Sequence, residues 1–302
     1  MVAGVDRWPS HPYRDVVPGA LQHEVMLRRP GTSCPSLTKR GSVSASHRFT
    51  LRRARNDGRP AAMAPPDDSD IGRVARYTDP MTGRFITFEG GDGAGKSTQV
   101  RRLAARLGAA GKSVVTTREP GGTPLAEAIR RLILSGGARD YGPEGEALLF
   151  GAARADHVEK LIRPALNAGE WVISDRFFDS THVYQGIAGV DGKLLAMLDR
   201  VTVGRTRPDL TVILDLPVEL GRARLAARLA EAGAAPDRFE GEAPALHEQR
   251  RQAFLAIAAR EPERCAVVDA GRGEDEVADD VWGIVSARLL HPARQPAARA
   301  GG

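Results

Sequence analysis

The run GGDGAGKS at positions 90–97 constrains this chain more than any other feature. It fits G-x-x-x-x-G-K-[ST] at Gly90, Gly95, Lys96 and Ser97, with the β-rich run FITFE (85–89) before it and an amphipathic stretch from about Lys96 to Ala110 after it. Phosphate oxygens need several donors converging on one point. Successive backbone N–H groups in a tight loop supply them without side chains in the way, and glycines permit the dihedrals and the close approach. The helix beginning near Lys96 adds the positive end of its dipole. Gly90, Gly91, Asp92, Gly93, Ala94, Gly95, Lys96, Ser97 and Thr98 are therefore the candidate triphosphate-binding residues. Lys96 is suited to bridge the β- and γ-phosphates, and the Ser97 hydroxyl to ligate Mg²⁺.

The rest of the chain alternates strands with helices from Arg84 onward. KSVVTT (112–117), WVISD (171–175), LTVILD (210–215) and CAVVD (265–269) are further strand candidates. Helical patterns fall near Leu125–Leu134, Glu144–Asn167 and Glu274–Leu290, and Ser135-Gly136-Gly137 reads as a glycine stop after the first of these. Val- and Ile-rich strands separated by helices predict an α/β protein with a five-stranded parallel sheet covered on both faces, the three-layer P-loop NTPase fold.

Residues 1–80 differ in character from the remainder of the chain. Pro, Arg, Ser and Gly interrupt every periodic run there, so the segment reads as a disordered basic extension. Its arginines also fit an organelle-targeting or RNA-contacting arm, and Met81 would make a natural start for a domain spanning 81–302. The whole net charge of +5 lies in this extension, which leaves the remainder balanced, so no specific nucleic-acid partner is expected. Two cysteines, Cys34 and Cys265, make neither a disulfide framework nor a metal cluster and fit a reducing cytoplasm. No run approaches the ~18 apolar residues needed to cross a membrane.

A P-loop names no reaction, since motors, GTPases and kinases share it. Loops at the carboxyl ends of the strands, where ligands sit in such sheets, narrow the choice. TREPGGT (117–123) places Arg118 before a rigid turn, where it suits a second anionic group or, more plainly, solvent. AARADH (152–157), with Phe150 just before it, puts Arg154 on an Ala-rich helix face where it could simply be solvated. DRFFDSTHVYQG (175–186) sets Asp175 where P-loop proteins hold Mg²⁺, and Arg176 beside it for bidentate contact with phosphate; a strand-end ion pair is the plainer reading.

Taken together, FEGGDGAGKSTQ, TREPGGT, LLFGAARADH, DRFFDSTHVYQG, RPDLTVILD and DRFE resemble the bacterial thymidylate kinases, in order and spacing, from about Arg84 to about Leu290. The resemblance implies transfer of the ATP γ-phosphate onto dTMP, with Mg²⁺, in a cytoplasmic homodimer. It implies that Asp92 contacts the sugar 3′-hydroxyl and Arg176 the acceptor phosphate. Phe150 would stack on the thymine and Arg154 bond its edge, with Thr181 and Gln185 by the base and Tyr184 against the sugar 2′ position. Arg118 and Glu119 would sit near the phosphates and Mg²⁺. Some relatives carry an arginine directly after the aspartate corresponding to Asp92; here Gly93 stands there, so a mobile lid at about 222–240 is expected to supply the cation. Arg228 is the first choice and Arg224 the second, with Arg222 also available and Arg238 at the lid's base. His157 and His182 read as structural, because transfer to a phosphate oxygen needs no histidine base. A kinase for another nucleoside monophosphate or a deoxynucleoside, and a non-enzymatic nucleotide-binding module acting through its basic tail, are the competing readings.

Overall fold

The computed structural model describes residues 81–291. The extension read at 1–80, and positions 292–302 of the expected domain, lie outside the described residues. The five expected strands are β1 (Arg84–Gly90), β2 (Val114–Arg118), β3 (Trp171–Asp175), β4 (Leu210–Asp215) and β5 (Cys265–Asp269). They form one sheet in the order β2-β3-β1-β4-β5, with every pair parallel. β1 lies at the centre, and all of it except Arg84 is buried, as a strand covered on both faces must be.

Side chains of β1 alternate between the two layers. Ile86 and Phe88 join Val100, Leu103, Val212 and Val281 on one side, under α1 (Lys96–Ala109) and, further along the chain, α9 (Glu274–Val285). Phe85 packs on the other side with Ile162, Val172 and Phe177. Thr87 and Glu89 share the face of Phe85 by the same period of two, and both are fully buried.

The expected helix at 125–134 is α2 (Pro124–Leu134), opened by the Thr123 hydroxyl accepting from the Ala126 N–H at 3.3 Å and closed just before Gly136, whose φ is +81°. The expected helix at 144–167 is α3 (Gly142–His157), which runs through one wider turn at 158–162 into α4 (Arg163–Asn167). Four further helices carry the chain between the strands: α5 (Phe178–Ile187), α6 (Gly192–Thr202), α7 (Val218–Ala232) and α8 (Pro244–Arg260). The expected lid therefore divides. Its first half, 222–232, is regular α7, and the irregular stretch begins only at Gly233, in the left-handed region at φ +58°.

Gly93 and Gly221 bring the P-loop and the start of α7 together. A Cβ on Gly93, where φ is +78°, would stand 2.1 Å from the Gly221 carbonyl oxygen, and one on Gly221 would stand 2.7 Å from the Asp92 oxygen. A side chain at either position displaces backbone. Gly93→Ala is expected to cost about 1–3 kcal/mol of unfolding free energy in denaturant titration. A fully stable variant would show that the contact tolerates a side chain.

Candidate functional site

The register of β1, β2 and β3 aligns Phe88, Arg118 and Asp175 across the sheet, so three strands deliver their following loops to one edge. There the P-loop, the turn after β2, the inner face of α3 and the 175–185 segment enclose a cleft of about 950 Å³. α7 and the turn after it close the remaining side. Every residue from Asp92 to Thr98 lines this cleft, as do Arg118, Glu119, Phe150, Arg154, Asp175, Arg176, Thr181, Tyr184, Gln185, Arg224 and Arg228. Gly90 and Gly91 are not among the lining residues, and their carbonyls accept from Lys96 Nζ at 3.0 and 2.7 Å. Burial, with Arg176 nearby, pulls the Lys96 ammonium down to about 8. The loop opens α1 through Gly95 in the left-handed conformation, so the first N–H groups of the helix remain available to an anion.

Arg176 is the centre of the site. Its backbone takes φ +70°, unusual for a side chain-bearing residue. Nη2 donates to Asp92 Oδ1 at 2.6 Å, while Nη1 donates to the Gly90 carbonyl at 3.2 Å and to Ser180 Oγ at 3.1 Å. Burial works against the guanidinium's charge, and the carboxylates of Asp92, Glu89 and Asp175 offset it. Burial likewise opposes the Asp92 carboxylate, yet Arg176, Lys96, His247 and Arg250 hold it below the usual carboxylate range. Tyr184 stays a phenol, because burial pushes its pKa up, and it donates to Asp92 Oδ2 at 3.4 Å. Asp92, Arg176 and Tyr184, expected on one substrate, thus touch one another.

The base-side residues also converge. Arg154 is only 2% exposed, so the solvated reading of that helix face is overturned. Its Nε donates to Glu119 Oε2 at 2.8 Å and its Nη2 to Thr181 Oγ1 at 2.9 Å and the Phe177 carbonyl, with Nη1 in none of these bonds. Glu119 gives its other oxygen to His157 Nδ1 at 3.1 Å, and His157 Nε2 meets Thr117 Oγ1 at 2.7 Å. Glu119 thus lines the cleft with each carboxylate oxygen accepting one hydrogen bond, from Arg154 and from His157. His182 pairs with Asp199 at 2.6 Å, in keeping with a structural role. Arg118, read as a phosphate contact or a solvated side chain, lines the cleft but is paired with Glu127 at 3.0 Å and half exposed.

A hydroxyl–carboxylate pair marks the candidate cation position. Ser97 Oγ donates to Asp175 Oδ2 in a short hydrogen bond. No group of three or more His, Cys, Asp or Glu suited to a metal occurs among the described residues. Such a donor set suits Mg²⁺, which takes few protein oxygens and completes its shell from phosphates and water.

Arg224 and Arg228 stand one turn apart on α7 and both face the cleft, Arg228 bonded to Glu240 at 2.7 Å and Arg224 to the Ala270 carbonyl at 2.9 Å. Arg222 is not among the lining residues. Arg238 pairs with Glu146 of α3 and stacks on Phe239, which fits its expected place at the lid's base.

Several residues escaped the sequence reading. Arg130, at four residues from buried Ala126 on the inner face of α2, lines the cleft and donates to the Pro120 carbonyl at 2.8 Å. Phe239 touches both Phe150 and Tyr184, with centroids at 6.4 and 5.5 Å. Arg250 of α8, buried, lies 4.2 Å from the Tyr184 ring and pairs with Glu242. Glu89, fully buried, accepts from Phe177 N, Ser180 N and Ser180 Oγ at 2.8, 3.3 and 2.6 Å.

Burial, and then the nearby Asp179, raise Glu89 from 4.5 to about 7, against the pull of Arg176 and of its hydrogen bonds. A raised folded-state pKa contributes stability that is complete below the unfolded value and is lost as pH rises through about 7. Glu89→Gln is therefore expected to reduce the loss of unfolding free energy between about pH 5 and about pH 8, read by urea titration at both. An unchanged difference would assign the pH dependence to other groups.

The thymidylate kinase family model matches residues 88–281. A thymidylate kinase of Rhodopseudomonas palustris (strain TIE-1) is 57% identical over 216 residues, covering 71% of this chain and 93% of the relative. One of Bradyrhizobium diazoefficiens is 54% identical over 209 residues, covering 69% and 91%. Among solved structures, the thymidylate kinase of Ehrlichia chaffeensis is similar at a TM-score of 0.54 and 32% identity, over 67% of this chain and 98% of that one.

Proposed function

This chain belongs to the thymidylate kinase family, and from that premise we propose how its cleft moves the γ-phosphoryl group of ATP onto dTMP, giving ADP and dTDP. The observation that carries the reading is the meeting of the P-loop with Asp92, Arg176 and Tyr184 in one cleft, because it joins a donor-phosphate cradle to an acceptor pocket. The backbone of 90–98 holds the donor phosphates, with Lys96 leaving its loop carbonyls to reach them. Arg176 binds the acceptor phosphate, and Asp92 exchanges part of its pairing with Arg176 for the sugar 3′-hydroxyl.

The pocket around the base follows from the same contacts. Phe150 and Phe239 supply apolar walls to the thymine, and Arg154, fixed by Glu119 and Thr181, presents a donor to its edge. Tyr184, pressed between Arg176 and Arg250, occupies the space a ribose 2′-hydroxyl would need. Gln185 stands beside it, and Arg118 lies near the phosphates. Ser97 and Asp175 would hold Mg²⁺. When bound, that ion neutralises charge on the donor phosphates. Transfer then rests on positioning and on cations, with Arg228 of α7 supplying the one the P-loop lacks.

A panel of nucleoside monophosphates with ATP tests the reading, run on the full chain and on a chain beginning at Met81. Strong activity on dTMP is expected from both. Activity on AMP or CMP with none on dTMP would sink it. In the same assay Arg228→Ala should lower kcat about 10²-fold or more while changing the KM for dTMP little, as for a contact made mainly in the transition state. An unchanged kcat would move the role to Arg224.

The homodimer forms part of the proposal, as does a cytoplasmic setting; no helix of the described residues is long and apolar enough to cross a membrane. Gly151 of α3 packs against Leu198 and Thr202 of α6, and the pair exposes Leu148, Met197 and Val201, the last 77% accessible. A second copy of the chain would cover them. Val201→Lys should shift the protein toward monomer in sedimentation velocity, and a wild type already monomeric at micromolar concentration would contradict the assignment.

A further inference from the structure

We infer that Glu89 and Ser180 are positioning residues for Arg176: the buried carboxylate of β1 fixes a serine hydroxyl of α5, and that hydroxyl fixes the guanidinium. The inference rests on the reading of Arg176 as the ligand of the acceptor phosphate.

The connection is continuous in hydrogen bonds. Ser180 Oγ has one hydrogen, which it donates to Glu89 Oε2 at 2.6 Å, and this leaves its lone pairs for Arg176 Nη1 at 3.1 Å. Glu89 Oε1 meanwhile accepts from Phe177 N at 2.8 Å and Ser180 N at 3.3 Å. No side chain of α5's own N-cap position, Phe177, caps the helix, so Glu89 does so from the neighbouring strand. One carboxylate thereby holds the main chain on both sides of Phe178 and the hydroxyl facing Arg176.

A structural cap alone would not call for this residue. Two backbone N–H groups need only an acceptor, which a neutral glutamine supplies without the cost of burying a carboxyl group that can ionise. What glutamine cannot do in this place is accept the serine hydrogen once its amide nitrogen faces Ser180. It donates to Oγ instead, and Oγ then meets two donors, one of them Arg176. The carboxylate therefore sets the direction of the hydroxyl, and the hydroxyl sets the guanidinium. Arg176 depends on its surroundings in the main chain too, because a backbone φ of +70° persists only where neighbouring groups fix it.

The test is steady-state kinetics of the full chain with dTMP and ATP varied separately, on Glu89→Gln, Ser180→Ala, Ser180→Thr, the Glu89→Gln/Ser180→Ala pair and Arg176→Ala. Glu89→Gln and Ser180→Ala should each raise the KM for dTMP about three- to tenfold and leave the KM for ATP within about twofold. The double variant should be no worse than the worse single one, because both act through one contact. Ser180→Thr keeps the hydroxyl and should stay near wild type. A general loss of structure would move both KM values and the melting temperature together.

Unchanged KM for dTMP in Ser180→Ala and Glu89→Gln, beside a raised one in Arg176→Ala, would overturn the positioning role and leave the acceptor reading standing. Independent, multiplying effects in the double variant would overturn it too. An Arg176→Ala variant that binds dTMP normally would overturn the acceptor reading and the positioning role with it. Should Glu89→Gln fail to fold, the comparison of Ser180→Ala with Ser180→Thr decides: similar KM values for dTMP in the two would overturn the role of the hydroxyl.

Discussion

A guanidinium largely withdrawn from water in the wall of the cleft, its side chain 17% exposed, is the constraint on which the site depends. Burying an unpaired cation costs several kcal/mol, about as much as the net stability of a small domain can spare. Arg176 escapes that cost through Asp92, the Gly90 carbonyl and Ser180, with Glu89 and Asp175 supplying further negative potential. Its main chain is tied to the sheet as well, since the Arg176 N–H donates to the Phe88 carbonyl at 2.9 Å. Left-handed backbone at such a residue costs about 1–3 kcal/mol and persists only where the surroundings fix it. Here the parallel pairing of β1 with β3 fixes it from below and the capped start of α5 from above. The proposed acceptor site is thus an extension of the central strand rather than a loop added to it.

The same strand bears on the proposal that α7 supplies a cation the P-loop lacks. β1 ends in a loop so closely packed on the start of α7 that a Cβ on Gly93 would overlap the Gly221 carbonyl. An arginine at position 93 is excluded by that backbone contact, whatever its chemical merit in the reaction. Yet the contact also brings the start of α7 against the P-loop, and Arg224 and Arg228 of that helix line the cleft. One close approach therefore removes a cation from the loop and presents two from the helix. Read from the sequence, Gly93 was a vacancy for the lid to fill. In the fold it is part of what puts the lid's helix in place.

The sheet was legible because its strands are short Val- and Ile-rich runs between turn residues, and all five fall where expected to within two residues. The P-loop was legible because its chemistry is local. Helices α5 to α8 were not read as helices. The inner faces of α5 and α8 carry Asp179, Thr181, Gln185, His247 and Arg250, so the buried side reads as polar and the usual apolar stripe is broken. Glu89 and Arg250 escaped for a related reason. Each looks like an ordinary charged residue in sequence, and its partners stand in other elements, Ser180 91 positions from Glu89 and Tyr184 well upstream of Arg250. Arg130 was more accessible, since its spacing from Ala126 already set it on the inward face of α2. Glu119 was placed near Mg²⁺ by the resemblance alone, and its long-range partners Arg154 and His157 were not legible in the sequence.

The strength of the Arg228–Glu240 pair bears on how the lid can act. Arg228 is 61% exposed in its side chain, and ion pairs so exposed contribute about 0–1 kcal/mol. A triphosphate brings several negative charges into the cleft, so it can take Arg228 from Glu240 at small cost. Glu240 does not depend on the arginine for its position. Its other oxygen accepts the Asp237 N–H at 2.9 Å, and Asp237 Oδ1 accepts from Phe239 N and Glu240 N. The turn thus keeps its shape when Arg228 leaves, and Phe239 stays packed between Phe150 and Tyr184. Arg238 is anchored to Glu146 behind it. The lid's base can therefore remain part of the proposed acceptor pocket while, on the proposed role of Arg228, one arginine of α7 exchanges a carboxylate for a phosphate. Motion confined to that side chain and the end of its helix leaves the wall around the base undisturbed.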